Sequence, residues 1–142
     1  MVEARLAKQR TGGDVSLAVD PTDSDRVYLA YNDDQGPIYM LHLLRSTDRG
    51  RTWSSDLRTH QNALNPAVAV NSNGTVGLLY QRLTGTGAAE RWVTTLETQN
   101  QHGGPWHSLV LATTPASTPA KEFDPYLGDY DYLTAVGKDF YG

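Results

Sequence analysis

The hydrophobic positions of this chain fall in short runs separated by clusters of turn-forming residues, a pattern that predicts strands joined by tight connections. Residues 1 to about 12 are ambiguous, and Thr11-Gly12-Gly13-Asp14 breaks the chain before the first clear run, Val15-Ser16-Leu17-Ala18-Val19. Asp20 to Asp25 reads as a turn, because Asp and Ser bond their own backbone and Pro21 presets φ. Arg26 to Tyr31 is the second expected strand, Asn32 to Pro37 the next loop, and Ile38 to Arg45 a third strand with apolar residues on both faces. A fourth strand is expected from Thr52 to about Arg58, which makes one antiparallel unit.

Between the third and fourth strands stands Ser46-Thr47-Asp48-Arg49-Gly50-Arg51-Thr52-Trp53. Gly50 tolerates a positive φ, and the short Asp48 carboxylate can accept hydrogen bonds from the N–H groups of its own turn. Ser46 and Thr52 place hydroxyls at the two ends, and Trp53 offers a flat surface to a neighbouring layer. The unit then recurs. Pro66-Ala67-Val68-Ala69-Val70 answers to the first strand, Asn71 to Gly74 is a shorter turn, and Thr75 to Tyr80 answers to Arg26 to Tyr31. The loop Leu83 to Glu90 leads to a strand from Arg91 to Thr98. In Gln99 to Trp106, Gly103 and Trp106 fall on Gly50 and Trp53 at a shift of about 53 residues, while Gln101 replaces the aspartate and Pro105 the threonine. Repeats of about 50 residues with four strands each are what a β-propeller predicts. A last strand of this unit spans Trp106 to Ala112, and the Pro-, Ser- and Thr-rich stretch from Thr113 to Ala120 reads as a loop. Leu133 to Val136 and Phe140 to Gly142 then begin a third unit.

The Ser46–Trp53 stretch resembles the Asp-box, or bacterial neuraminidase repeat, of sialidases and related β-propellers, and Ser46, Asp48, Gly50, Thr52 and Trp53 match all of its fixed positions. The resemblance implies an all-β fold in which residues 1–142 form a partial propeller: one blade over about 14–58, a second over about 66–112 and the start of a third over about 132–142. That is about two and a half blades of a ring that closes with six in this family. The expectation is either a fragment of a longer product or copies that associate to complete the ring, since open blades expose edges and faces. In the family the box is mostly structural.

Composition narrows the partners. The 142 residues carry a net charge of −4 with no basic block, which gives little support to a nucleic-acid partner. No apolar run approaches the roughly 18 residues of a spanning helix, and Met1 to Ala7 lack the apolar core of a secretory signal. The absence of cysteine excludes disulfides, Cys-based metal sites and a thiol nucleophile, and leaves the compartment open. His42, His60, His102 and His107 have no metal-ligand spacing, so no metal and no cofactor is expected. The resemblance adds a glycan as partner and a secreted or cell-surface location.

Alternating strand directions place the Asp-box on one face and four segments on the other: Asn32 to Pro37, His60 to Asn65, Leu83 to Glu90 and Asp124 to Asp131. In Asp-box sialidases this second face carries an arginine triad for the substrate carboxylate, a tyrosine nucleophile beside a glutamate, and an aspartic general acid/base. Guanidinium forks match a carboxylate, and a tyrosine avoids bringing a second anion to an acidic sugar. The chain has no Arg-Ile-Pro motif, so no catalytic residue carries over by motif. By position, Asp129, Tyr130 and Asp131 are candidates for catalysis, beside a reading in which the aspartates cap backbone N–H groups and the tyrosine packs between blades. Asp33, Asp34 and Asp124 are candidates for a cation or sugar hydroxyls, or plain solvated turns. Arg82 and Arg91 are candidates for substrate binding, or exposed strand-end arginines. Two functions follow: a segment of a sialidase-like exo-glycosidase acting on terminal sugars and inactive alone, or a non-catalytic propeller that binds glycan or protein or serves as a structural repeat. The acidic loops suit a cation, neutral sugar hydroxyls or the general-acid role better than carboxylate recognition.

Overall fold

The computed structural model describes residues 15–35, 38–116 and 131–142. They form three antiparallel sheets. The first holds β1 (Val15–Asp20), β2 (Asp23–Asp34), β3 (Tyr39–Ser46) and β4 (Arg58–Gln61), in sequence order. The second holds β5 (Ala63–Val70), β6 (Val76–Thr84), β7 (Arg91–Gln99) and β8 (His107–Pro115), in the same order. The third is a hairpin of β9 (Thr134–Val136) and β10 (Asp139–Tyr141). The fold is all-β, and its sheets recur in sequence as the hydrophobic pattern predicts.

Side chains on alternate positions of a strand face opposite ways. Tyr28, Ala30, Leu41 and Leu43 of the first sheet therefore meet Val68, Val70, Val76, Leu78 and Tyr80 of the second in one core. On its other face the second sheet presents Ala67, Ala69 and Leu79, which pack with Leu133, Ala135 and Phe140 of the hairpin segment. Gly77 makes that approach possible, because a Cβ there would lie 2.7 Å from the Phe140 ring. A third cluster, Tyr39, Leu64, Leu83 and Trp92, closes the end of the stack away from the Ser46–Thr52 turn. Each fully buried leucine, such as Leu41 or Leu78, contributes on the order of 1.5–3 kcal/mol.

Several element bounds differ from expectation. β4 begins at Arg58 rather than Thr52, because Thr52 is held in the turn by Asp48 and the next residues bulge. Ser54 N bonds Arg45 O at 2.9 Å and Leu57 N bonds Leu43 O at 2.8 Å, so more chain passes along this side than β3 can pair. Asn32, Asp33 and Asp34 are not loop residues, since they extend β2 and pair with Leu41, Met40 and Tyr39. The expected connection His60 to Asn65 shrinks to Asn62, whose φ is 56°. Its N–H reaches Tyr39 O and its carbonyl accepts from Leu83 N, which pins the crossing between sheets. Leu83 and Thr84 continue β6, and Gly87–Ala89 form a 3-10 turn in the shortened loop. Thr113, Thr114 and Pro115 belong to β8 rather than to the expected loop.

Candidate functional site

The box turn is a closed hydrogen-bond circuit. Ser46 Oγ accepts from Asp48 N at 3.2 Å and Gly50 N at 2.8 Å while donating to Asp48 Oδ1 at 2.7 Å. Asp48 Oδ1 also accepts from Thr52 N at 2.8 Å, and Oδ2 from Thr52 Oγ1 at 2.6 Å. These bonds, led by the Thr52 hydroxyl, hold the Asp48 carboxyl down at about 2. Arg49 ties the circuit to the β1–β2 turn, through its N–H to Asp25 O at 3.0 Å and its Nε to Asp25 Oδ1 at 2.6 Å. Both carboxylate oxygens are spent on the turn, so the group stabilises a hairpin.

The degenerate copy keeps the bend and loses the circuit. Gly50 and Gly103 share a φ of 83°. Gln101 instead accepts from Thr22 Oγ1 at 3.3 Å, across to the first sheet, which puts both box turns at one end of the stack. Trp106 packs against the core between the two sheets, whereas Trp53 lies beside Gly50 with its ring partly in solvent.

The sequence-predicted site residues at the opposite end take separate partners. Asp33 Oδ1 lies 3.3 Å from His42 Nε2, and its Oδ2 accepts from Gln35 Nε2 at 3.4 Å. Arg82 donates from Nε to Gln61 O at 3.1 Å, and Arg91 from Nη1 to Glu90 O at 3.0 Å and Ala88 O at 3.3 Å. Both arginines thus stitch backbone carbonyls. Asp34 ends β2 by its backbone pairing, and Asp131 is half-buried ahead of β9. Asp124, Asp129 and Tyr130 lie outside the described residues.

Two polar clusters escape the sequence reading. In the first, Glu97 of β7 is buried at the joint between the sheets. It accepts from Arg58 Nε at 2.8 Å and Nη2 at 2.6 Å, and from Ser108 Oγ at 2.9 Å, and it meets His60 Nε2 at 3.0 Å. Burial pushes this carboxyl up, but the bonds from His60, Arg58 and Ser108 outweigh it and hold the group well below the usual carboxylate range. Arg58 also lies 5.4 Å over the Trp106 ring, and His60 stacks on Tyr80 at 4.5 Å. Burial, then the Glu97 charge and hydrogen bond, push the Tyr80 phenol up to about 12. A tyrosine beside a glutamate is the pairing a sialidase nucleophile needs, yet both are buried and the carboxylate is saturated, so this pair joins sheets. Arg58 and His60 at alternate positions of one strand, facing a lone acid at an inward position of β7, were the legible clue.

In the second cluster His42 stands between two carboxylates. Its Nδ1 lies 3.1 Å from both oxygens of Asp56, its Nε2 faces Asp33, and its ring stacks on Tyr31 at 4.9 Å. Carboxylates only accept, so each of these contacts is made by a ring N–H. Burial first, then the charges of Asp56 and Asp33, raise the Tyr31 phenol. His42 therefore has both ring nitrogens committed to carboxylates. A histidine at the centre of an apolar strand was its only trace in the sequence.

Among the described residues no group of three or more His, Asp or Glu is placed to hold a metal ion, and no helix is long and apolar enough to cross a membrane. Compared with known protein families, curated proteins and solved structures, the chain matches none.

Proposed function

We propose that this chain is a segment of a sialidase-like Asp-box propeller that acts on the terminal sugars of glycans, with these sheets serving as scaffold blades. The observation that carries the reading is the box circuit of Ser46, Asp48, Gly50 and Thr52 with its repeat at Gly103, set in two sheets of identical strand order. On this reading the catalytic arginines arrive from other blades, because Arg82 and Arg91 are occupied with backbone carbonyls and do not form a carboxylate fork. The same observation favours a second reading, a propeller that binds glycan or protein without turnover, in which the acidic segments contact neutral sugar hydroxyls.

The 142-residue chain alone is expected to leave a fluorogenic sialoside intact. Titration with calcium, a neutral sugar and sialic acid, followed by backbone amide shifts, separates the binding readings. Turnover by the chain that disappears on changing Asp129 or Tyr130 overturns the scaffold role. Saturable binding of sialic acid alone at residues 124–131 overturns the assignment of carboxylate recognition to other blades.

A further inference from the structure

The connection between β5 and β6, Asn71-Ser72-Asn73-Gly74-Thr75, is a turn set by its first residue. Asn71 Oδ1 accepts from Asn73 N and Thr75 N, each at 3.0 Å. Asn71 O accepts from Gly74 N at 2.9 Å, and Asn71 N donates to Thr75 O at 2.9 Å. An Asn side chain that bonds the backbone two residues on fixes a turn in this way. The turn is also braced from outside, by Asn71 Nδ2 donating to Lys138 O and Ser72 N to Gly137 O, both at 2.8 Å. Gly74 is required, since its φ is 73° and a Cβ there would lie 2.6 Å from Gln101 Oε1.

The side chain of Asn73 stands outside this framework. Asn73 is exposed, the turn uses its backbone N–H, and its carboxamide takes no hydrogen bond among the described residues. The sequence here is Asn73-Gly74-Thr75, and of the asparagines in the chain only Asn73 has Ser or Thr two residues on. Asn-X-Ser/Thr with X other than Pro is the acceptor pattern for N-linked glycosylation, which adds a bulky, solubilising group to surface turns. So short a pattern also arises by chance; at Asn73 it coincides with an exposed turn position whose carboxamide the fold does not use. Gln101 places the turn, because it lies against Gly74 and accepts from Thr22 Oγ1. Asn73 is therefore at the end of the stack that carries the Ser46–Thr52 turn and its Gly103 counterpart. A glycan there leaves the opposite end, with Asp33, Arg82 and Arg91, uncovered.

We propose that Asn73 is the acceptor of an N-linked glycan. In the transfer Asn73 Nδ2 bonds to C1 of the first sugar of a polyprenyl-diphosphate-linked oligosaccharide. The C1–O bond to the diphosphate breaks, the polyprenyl diphosphate leaves with its electron pair, and one amide proton passes to a base of the transferase. The turn keeps every bond it had, since all of them come from Asn71, Ser72 and the backbone. The inference rests on the secreted or cell-surface location that the propeller reading implies, and is independent of whether the chain turns over a sugar.

The test incubates the folded full chain with a purified oligosaccharyltransferase and a polyprenyl-diphosphate-linked oligosaccharide, and reads intact mass and peptide maps. One glycan per chain is expected, on Asn73. Asn73→Gln and Thr75→Ala, each checked for native circular dichroism, are expected to lose it completely, and Thr75→Ser to retain it. The glycosylated chain is expected to unfold at the wild-type urea midpoint. The assignment is overturned by a folded chain left unmodified under conditions that modify a short acceptor peptide, by transfer that survives Asn73→Gln, or by transfer only after unfolding. A lowered midpoint in the modified chain overturns the placement of the Asn73 side chain outside the turn. Mass is the readout, so failure here is distinct from failure of the glycosidase reading, which the sialoside assay decides.

Discussion

Replacing Glu97 by glutamine tests whether the joint between the first two sheets is locked by charge. The carboxylate receives two bonds from Arg58, one from Ser108 and one shared with His60, all at 3.0 Å or less. Glutamine keeps the volume but turns one acceptor oxygen into an NH2 donor. Arg58 Nε and His60 Nε2 share one oxygen, while Arg58 Nη2 and Ser108 share the other, so either orientation sets donors against a donor. The guanidinium also loses its counter-charge. Removing one partner of a buried ion pair costs about 3–5 kcal/mol, and the partial exposure of Arg58 puts this case near the lower end, about 3 kcal/mol. Set against a domain stability of about 5–15 kcal/mol, that is a large share. Urea unfolding followed by tryptophan fluorescence is the assay, with Trp106 reporting from the joint, and a lower midpoint at unchanged slope is expected. A loss below about 1 kcal/mol refutes the latch and makes the cluster a solvent-screened pair. The pH dependence supplies a second check. The folded carboxyl lies below its ordinary value of 4.5, so its stabilisation is complete above that pH and drains away as pH falls toward the folded value. Acid destabilisation below pH 4.5 is therefore expected to be steeper in the wild type than in Glu97→Gln.

Asp48→Ala is expected to lower the thermal midpoint while leaving ligand binding unchanged, since its bonds serve only the turn; unchanged stability with lost binding reverses that assignment. The Asp48 contribution is present above pH 3.8 and disappears as pH falls through about 2, so the midpoints of variant and wild type converge in acid. Tyr80 is held neutral in the folded state, so its stabilisation is complete below pH 10 and is lost as pH rises toward about 12. Absorbance of ionised tyrosine near 295 nm is expected to include one late-titrating phenol that Tyr80→Phe removes.

Most strands, their antiparallel order and the recurrence of the unit were legible in the sequence, because period-two alternation and turn chemistry act over a few residues, whereas the fourth strand, expected from Thr52 to about Arg58, meets β4 only at Arg58. The Ser46–Thr52 turn was legible for the same reason: Ser46, Asp48, Gly50 and Thr52 satisfy one another within a single turn. Gly103 retained its bend because a left-handed backbone needs only glycine at that point. What escaped were relations between residues far apart in the chain. Arg58 meets Glu97 across 39 positions, and the run from Thr52 to Leu57 bulges because the box holds one end while β3 pairs the other. Asp33, which reads as a loop acid, became a strand residue facing His42, and His42 also drew Asp56 from the bulge. Trp53 and Trp106 occupy matching places in two repeats, and only the stacking of sheets decides that one is covered and the other open. Local patterning thus chose the sheets, while tertiary packing decided which of their polar groups meet.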